Sequence, residues 1–156
     1  MTGRIVAAIL TDRDVDDASQ IEPLLDQIAD PVELFMGDGG YDRTGVYTAL
    51  DERYPDAVIV VPPRADAVLS ATADTDPTQR DRHIQAIAEK GRMAWQRDSG
   101  YNQRAGVEGQ FARWKQVIGN GLRFHSDEAR ATEVAIAAQV LNRMLDLGRP
   151  NSVRVA

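Results

Sequence analysis

The chain has 156 residues, 43% of them hydrophobic, which suffices for one domain that buries about two-thirds of its unfolded surface. It contains no cysteine, so disulfides and thiolate metal sites are excluded. A net charge of −6 argues against binding nucleic acid by bulk electrostatics. The sequence contains no apolar run of about 18 residues, so it does not suggest a membrane span. We therefore expect a single domain over residues 1–156 of a cytoplasmic protein.

The charges are unevenly distributed along the chain. Residues 1–78 carry 5 basic and 16 acidic side chains, a net of −11, whereas residues 92–123 carry 6 basic and 2 acidic ones, a net of +4. Any DNA is expected to contact the second region, because phosphates are attracted to local positive charge. The acidic first part is either a solvated surface or a place where cations are held.

The apolar run from Ile5 to Leu10 predicts a strand over residues 4–11 that is buried on both faces. An acidic loop follows, with the aspartates Asp12, Asp14, Asp16 and Asp17. These carboxylates could hold a cation, but the next helix needs an N-cap and acidic residues in its first turn, and we favour that structural role. The helix is predicted over residues 18–29 and ends before Pro31.

A second strand is predicted over residues 32–36, and it runs directly into Gly37-Asp38-Gly39-Gly40-Tyr41-Asp42. A carboxylate at the carboxyl end of a strand, beside glycines that let a substrate come close, is typical of sites in α/β sheets. The alternative is a turn with a helix cap. Asp42 is expected to cap the next helix, over residues 44–54, rather than to bind metal.

A third strand over residues 57–61 completes an alternation of strands and helices that predicts an α/β fold, with a parallel-type sheet flanked by helices. Another helix is predicted from residue 77 to residue 91. His83 and His125 each lack a second ligand at metal spacing, so we interpret each as a surface or core histidine. The last helix is predicted over residues 128–147.

Residues 101–118 predict one helix with two stripes of different chemistry. The polar stripe spans about 60° of the helix and consists of Tyr101, Arg104, Glu108 and Lys115. The apolar stripe is predicted to be buried and consists of Val107, Phe111, Trp114 and Ile118. On spacing alone, one glutamate between two cations is typical of a solvated face with ion pairs. The chain has 16 Arg but only 2 Lys, however, so a lysine here suggests a specific role such as binding a phosphate.

The order of the polar stripe, Tyr-x2-Arg-x3-Glu-x6-Lys, resembles the signature of bacterial insertion-sequence transposases of the DDE class, in the insertion-sequence four/five group. Asp38, Tyr41 and Asp42 resemble the setting of that family's second metal-binding aspartate. The resemblance covers nearly all of residues 3–149. It implies an RNase H-like (ribonuclease H-like) mixed sheet flanked by helices, and the cleavage and joining of DNA at element ends by two-metal phosphoryl transfer.

By this resemblance, Asp38 is the second and Glu108 the third catalytic acid, and both are expected to bind Mg²⁺ or Mn²⁺. Tyr101, Arg104 and Lys115 are expected to contact DNA phosphates or to order the catalytic helix. In the family, the first acid lies on a strand before the turn at which this sequence starts. We therefore expect the C-terminal portion of a catalytic domain that lacks the first strand. Its two-metal site is expected only with the missing Asp, so the chain should be inactive alone.

Two hypotheses follow from the sequence. In the first, the chain is the catalytic part of a DDE transposase, active only when joined to, or complemented by, the missing segment. In the second, it is a non-catalytic remnant that binds DNA or full-length transposase. Double-stranded DNA at element ends is the expected partner, together with a second copy of the chain or a full-length transposase. A nucleoid-associated location, without a membrane, follows. Asp38 and Glu108 are expected to face each other across a shallow cleft, within about 10 Å.

Overall fold

The computed structural model describes residues 3–119 and 121–148, apart from the side chain of Glu108. This part of the chain is mixed α/β, with six α-helices and a two-stranded parallel sheet. In chain order the elements are α1 (Ile21–Leu25), β1 (Leu34–Met36), α2 (Thr44–Arg53), β2 (Val58–Val60), α3 (Gln79–Lys90), α4 (Arg92–Asp98), α5 (Ala105–Val117) and α6 (Asp127–Leu147). None of the described helices combines the length and apolar composition that crossing a bilayer requires.

The chain clusters into two compact units. One is Arg13–Arg104, and the other joins the described residues of Met1–Asp12 to those of Ala105–Ala156. In the first unit, the core is built from one face of α1, one face of α2 and the inner side chains around β2. Its buried members are Ala18, Ile21, Leu25, Val46, Tyr47, Leu50, Ile59 and Val61. The core therefore holds the sheet against the two helices that precede its second strand.

Strands β1 and β2 pair in parallel, as predicted, with Phe35 opposite Ile59 at the centre of the register. The pairing continues one residue past β1, because the Gly37 N–H donates to the Val60 carbonyl at 3.2 Å. Gly37 is buried, and a Cβ there would lie 3.1 Å from Tyr41 Cβ. The close approach of Tyr41 thus explains the small residue at the end of the strand.

Side chains of α3 cover the outer edge of β2. The Gln79 carboxamide accepts from the Ile59 N–H at 2.9 Å and donates to the Ala57 carbonyl at 2.9 Å. One helical turn later, His83 Nε2 donates to the Ile59 carbonyl at 2.7 Å. These bonds satisfy backbone groups for which an edge strand would otherwise need a neighbouring strand or water.

The loop between β2 and α3 is anchored by Asp81, which is 1% exposed. Its carboxylate accepts four hydrogen bonds of 2.7–2.9 Å, from the N–H and hydroxyl of Ser70 and from the N–H and hydroxyl of Thr78. Thr78 in turn caps α3 through the Asp81 N–H, which completes a capping box. Burial acts to raise the pKa of Asp81, but the four hydrogen bonds outweigh burial and lower that pKa far below its usual range.

The predicted strand over residues 4–11 is wrong, because residues 3–12 form no strand. Val6 is 64% exposed. The backbone of Ile5 pairs instead with a side chain of α6: its N–H donates to Asn142 Oδ1 at 2.8 Å, and its carbonyl accepts from Asn142 Nδ2 at 2.7 Å. An apolar run becomes a strand only where another strand supplies backbone partners, and here an amide side chain supplies them.

The predicted helix over residues 18–29 is too long. The structure has a 3₁₀ turn over Asp17–Gln20 followed by α1, which ends at Leu25. Asp16 caps the turn, since its carboxylate accepts from the Ser19 N–H at 3.1 Å. This confirms the structural role predicted for the acidic loop.

The predicted cap by Asp42 is also wrong. Arg43 precedes α2 and makes no capping bond. The Asp42 side chain is fully buried and accepts from Arg80 Nε at 2.6 Å, Arg80 Nη2 at 3.1 Å and the Arg64 N–H at 2.8 Å. A carboxylate removed from water is stable only when charges and donors surround it, and Arg80 supplies both.

The predicted helix over residues 101–118 is divided into a 3₁₀ turn over Tyr101–Arg104 and α5. The predicted burial of the apolar stripe is wrong for Phe111, which is 66% exposed and lines an open groove of about 670 Å³. Val107, Trp114 and Ile118 are half-buried. Because the groove is open to solvent, only part of the stripe is covered.

The last helix is confirmed as α6. Ser126 caps its start by accepting from the Ala129 N–H, and Gly148, with φ of 75°, ends it in a left-handed conformation. Leu141 is buried, and its carbonyl accepts from Arg113 Nη2 of α5 at 2.6 Å. This bond joins the two long helices of the second unit.

Candidate functional site at the end of strand β1

Asp38 lies two residues after β1, at the carboxyl end of the parallel sheet. It caps a 3₁₀ turn over Gly39–Tyr41, because its Oδ1 accepts from the Gly40 N–H at 2.8 Å. A Cβ on residue 40 would lie 2.9 Å from that oxygen, so a side chain there would push the Asp38 carboxylate out of its present position. The turn with a cap, considered as an alternative from the sequence, is therefore present. The Asp38 side chain is 50% exposed.

The second oxygen of Asp38 is held by an arginine. Arg104 Nη2 donates to Asp38 Oδ2 at 3.1 Å, and the Arg104 side chain is 25% exposed. A partly exposed ion pair contributes about 0–1 kcal/mol to stability, so the pair matters mainly for where it places the two groups. It fixes a guanidinium beside a carboxylate at the strand end.

Tyr41 borders the same site. Its ring packs edge to face on Phe35, with centroids 5.9 Å apart at 72°. Burial raises the pKa of the Tyr41 hydroxyl, and the carboxylates of Asp17 and Asp38 raise it further, while Arg104 acts to lower it. The hydroxyl is therefore neutral at physiological pH, and it can offer or accept a hydrogen bond but no charge.

A row of three rings connects β2 to the 3₁₀ turn that carries Arg104, and the last ring, Tyr101, belongs to that turn. Tyr101 and Trp95 have centroids 5.5 Å apart at 36°, and Trp95 and His83 have centroids 5.5 Å apart at 82°. The indole N–H of Trp95 donates to His83 Nδ1 at 3.0 Å. Because the Ile59 carbonyl can only accept, His83 Nε2 carries a proton. Because Nδ1 accepts from the indole, it carries none, and the ring is neutral. Burial lowers the pKa of His83, although the bond to Ile59 acts to raise it.

A comparison with known families bears on this arrangement. Residues 1–145 match the transposase DDE domain family. The chain belongs to that family. Its family implies DNA transposition and the use of divalent metal ions. No solved structure matches the chain.

In this DDE transposase domain, the predicted site residues lie on several elements. Asp38 and Arg104 are brought together, and Tyr101 packs on Trp95. Lys115 lies on α5 and is exposed. Glu108 also belongs to α5, but its side chain lies outside the described residues. The cleft between Asp38 and Glu108 therefore remains a prediction.

The fit to a metal ion depends on how many carboxylates converge. Within residues 3–119 and 121–148, leaving out Glu108, no three His, Asp or Glu side chains form a group that could hold a metal. Asp38 uses one lone pair on each oxygen for Gly40 and Arg104, and a carboxylate has about four such sites. Asp38 thus fits the role of a single oxygen ligand, but the described side chains do not form a complete site.

Sequence reasoning missed two features of this site. The pairing of Arg104 with Asp38 spans 66 positions, and no local spacing indicates a contact at that separation. The sequence interpretation of His83 as a surface or core histidine holds, but its bonds to Trp95 and to β2 are not predicted. The available signal was the break at Gly91, with φ of 82°, which turns α4 back and brings Trp95 to His83.

Proposed function

We propose that this domain is the C-terminal part of a DDE transposase that cleaves and joins DNA at the ends of an insertion sequence of the four/five group, using an RNase H-like sheet. The observation that supports it is the position of Asp38, half-exposed at the carboxyl end of a parallel strand in a chain of this family. Crevices at strand carboxyl ends are where open α/β sheets bind their ligands.

In this proposal, Asp38 and Glu108 are the catalytic carboxylates and the ligands of Mg²⁺ or Mn²⁺. A bound pair of such ions would activate the attacking hydroxyl and stabilise the leaving oxygen in displacement at phosphorus. The protein's own contribution at Asp38 is orientation, because Gly40 and Arg104 each hold one oxygen of the carboxylate. The family resemblance implies a third carboxylate, to which no residue of this chain has been assigned, and we therefore propose that the 156-residue chain is inactive alone.

We propose that DNA phosphates are contacted by Tyr101, Arg104 and Lys115. Lys115 is exposed and has no ion pair among the described residues, so its ammonium is available to a phosphate. Arg104 keeps donors beyond the one given to Asp38, since a guanidinium has five. We further propose that the working unit includes a second copy of the chain or a full-length transposase.

A second candidate function is a non-catalytic protein that binds DNA or full-length transposase. The observation that favours it is that both Asp38 oxygens are engaged by protein donors. DNA binding needs only the cations, so it would survive without a complete metal site.

The deciding experiment compares the chain with a fusion that supplies the first aspartate from a complete family member. With Mg²⁺ or Mn²⁺, the chain should not cleave DNA carrying the element's ends, and the fusion should. Glu108→Gln in the fusion should abolish cleavage while leaving DNA binding intact, since the amide keeps the shape but not the charge. Binding without cleavage by the fusion would support the second candidate. Cleavage by the 156-residue chain alone would contradict the inactivity proposed for it.

A further inference from the structure

His83, Trp95 and Tyr101, which we call the ring row, join strand β2 to the turn that carries Arg104. We propose that the ring row is a positioning device: it sets Arg104 against Asp38, so that the backbone of β2 determines the geometry at the end of β1. Its value for DNA chemistry rests on the proposed function, whereas the positioning itself is a property of the described fold.

The row begins at a fixed point of the sheet. The Ile59 carbonyl, on the edge of β2 away from β1, accepts from His83 Nε2 at 2.7 Å. Ile59 is fully buried, and its N–H donates to Gln79 Oε1 at 2.9 Å; Gln79 and His83 both belong to α3. The imidazole therefore cannot rotate without breaking a hydrogen bond at a site that water does not reach freely.

The middle of the row accepts only one arrangement. Trp95 is 2% exposed, and its indole N–H has a single acceptor, His83 Nδ1, at 3.0 Å. A buried N–H without an acceptor costs about 1–3 kcal/mol, so the rings cannot slide past each other as purely apolar side chains could. The hydrogen bond thus transmits the position of His83 to Trp95.

The last step runs through the 3₁₀ turn. Tyr101 packs on Trp95 with centroids 5.5 Å apart, and Arg104 follows three residues later in the same turn. Side chains at i and i+3 eclipse in a 3₁₀ helix, so the direction of Tyr101 sets that of Arg104. Arg104 then reaches Asp38 Oδ2 at 3.1 Å. Each link is a contact between described side chains or backbone groups of one compact unit.

The test is NMR of the Arg104 guanidinium in the 156-residue chain, with the signal assigned by its loss in Arg104→Lys. Asp38→Asn supplies the reference for an arginine without its carboxylate. Trp95→Phe removes the indole N–H but keeps a ring, and His83→Gln keeps a donor for Ile59 but removes the Nδ1 acceptor. Both variants should shift the Arg104 signal toward the Asp38→Asn reference.

The matched control is Val46→Ala, which makes a cavity in the core cluster of the same unit, a cluster that includes neither Trp95 nor Tyr101. It should lower stability but leave the Arg104 signal in place. The inference is overturned if Trp95→Phe and His83→Gln leave the signal unchanged, or if Val46→Ala shifts it as far. Should Trp95→Phe fail to fold, His83→Gln decides alone.

A second measurement separates this inference from the proposed function. The affinity for double-stranded DNA is measured for Arg104→Ala beside the ring-row variants. A shifted Arg104 signal together with an unchanged affinity in Arg104→Ala supports the positioning and contradicts the proposed DNA role of Arg104. An Arg104 signal that the ring-row variants leave unshifted, together with a loss of affinity in Arg104→Ala, contradicts the positioning and supports the proposed DNA role of Arg104.

Discussion

Arg104 and Asp38 share the carboxyl end of β1, with Nη2 of the arginine 3.1 Å from Oδ2 of the aspartate. The arginine takes the oxygen that the Gly40 N–H leaves free, so the carboxylate is oriented from both sides. In a DDE transposase domain, this contact places the arginine at the proposed acid, in addition to the DNA role that we propose for it. Four predictions test other parts of the structure.

Lys115→Ala should weaken binding to double-stranded DNA and lower the slope of log K against log salt by about one phosphate contact. The reason is that Lys115 is an exposed cation on α5 without an ion pair in the described part of the chain. Lys90→Ala is a suitable control, because Lys90 is already 3.9 Å from Asp98. Equal salt slopes for the two variants would remove Lys115 from the DNA surface.

Asp81→Asn should lower the free energy of unfolding by about 2 kcal/mol at pH 7, because it replaces an acceptor of four hydrogen bonds that also completes the capping box of α3. Since folding lowers the pKa of Asp81 from 3.8, its contribution is present above about pH 4 and is lost as the pH falls toward the folded pKa. Urea unfolding at pH 7, 4 and 3 measures both effects.

The control for this prediction is Asp74→Asn, an exposed aspartate of the same loop. It should change stability by less than about 0.5 kcal/mol at pH 7. If Asp74→Asn is as costly as Asp81→Asn, the loop is not anchored by the buried carboxylate.

His83 should make stability fall as the pH decreases below about 6.5. Burial lowers its pKa in the folded state from 6.5, so between the two pKa values the unfolded chain binds more protons than the folded one. Protonation would also remove the acceptor of the Trp95 indole. In His83→Gln this part of the pH dependence should disappear, and a wild-type dependence that persists unchanged in the variant would assign it to other groups.

Arg80→Met should cost about 3–5 kcal/mol, because it leaves the fully buried carboxylate of Asp42 without its counter-ion. The double variant Arg80→Met, Asp42→Asn should recover part of that loss in urea unfolding. The pair Arg64 and Asp66 supplies the comparison, since both side chains are more than half exposed. Breaking that pair with Asp66→Asn should cost about 0–1 kcal/mol.

The elements that could be predicted from the sequence are those specified by local patterns. Helix α6 follows from its apolar periodicity and the Gly148 stop, and the parallel pairing of β1 with β2 follows from the helix between them. The position of Asp38 after β1 follows from the turn glycines. Each of these features is specified by residues within the element or in the segment that connects it to the next one.

The errors concern elements whose state depends on distant partners. Residues 3–12 have the composition of a buried strand, but the backbone of Ile5 is hydrogen-bonded by the side chain of Asn142, which lies 137 positions away. Asp42 has the sequence position of a cap, but Arg80, 38 positions away, offers a buried counter-ion. A local pattern indicates which structures a segment can adopt, and contacts with residues distant in the sequence determine which of them forms.

The Gln79 amide has a consequence for the solubility of the chain. Because it occupies the Ile59 N–H and the Ala57 carbonyl, the outer edge of β2 cannot template a strand from another molecule. The segment behind that edge, Ala57-Val-Ile-Val-Val61, combines high β-propensity with no charge, which is the composition of aggregation-prone segments. Gln79 of α3 therefore keeps two backbone groups of an apolar, uncharged strand from pairing with another molecule.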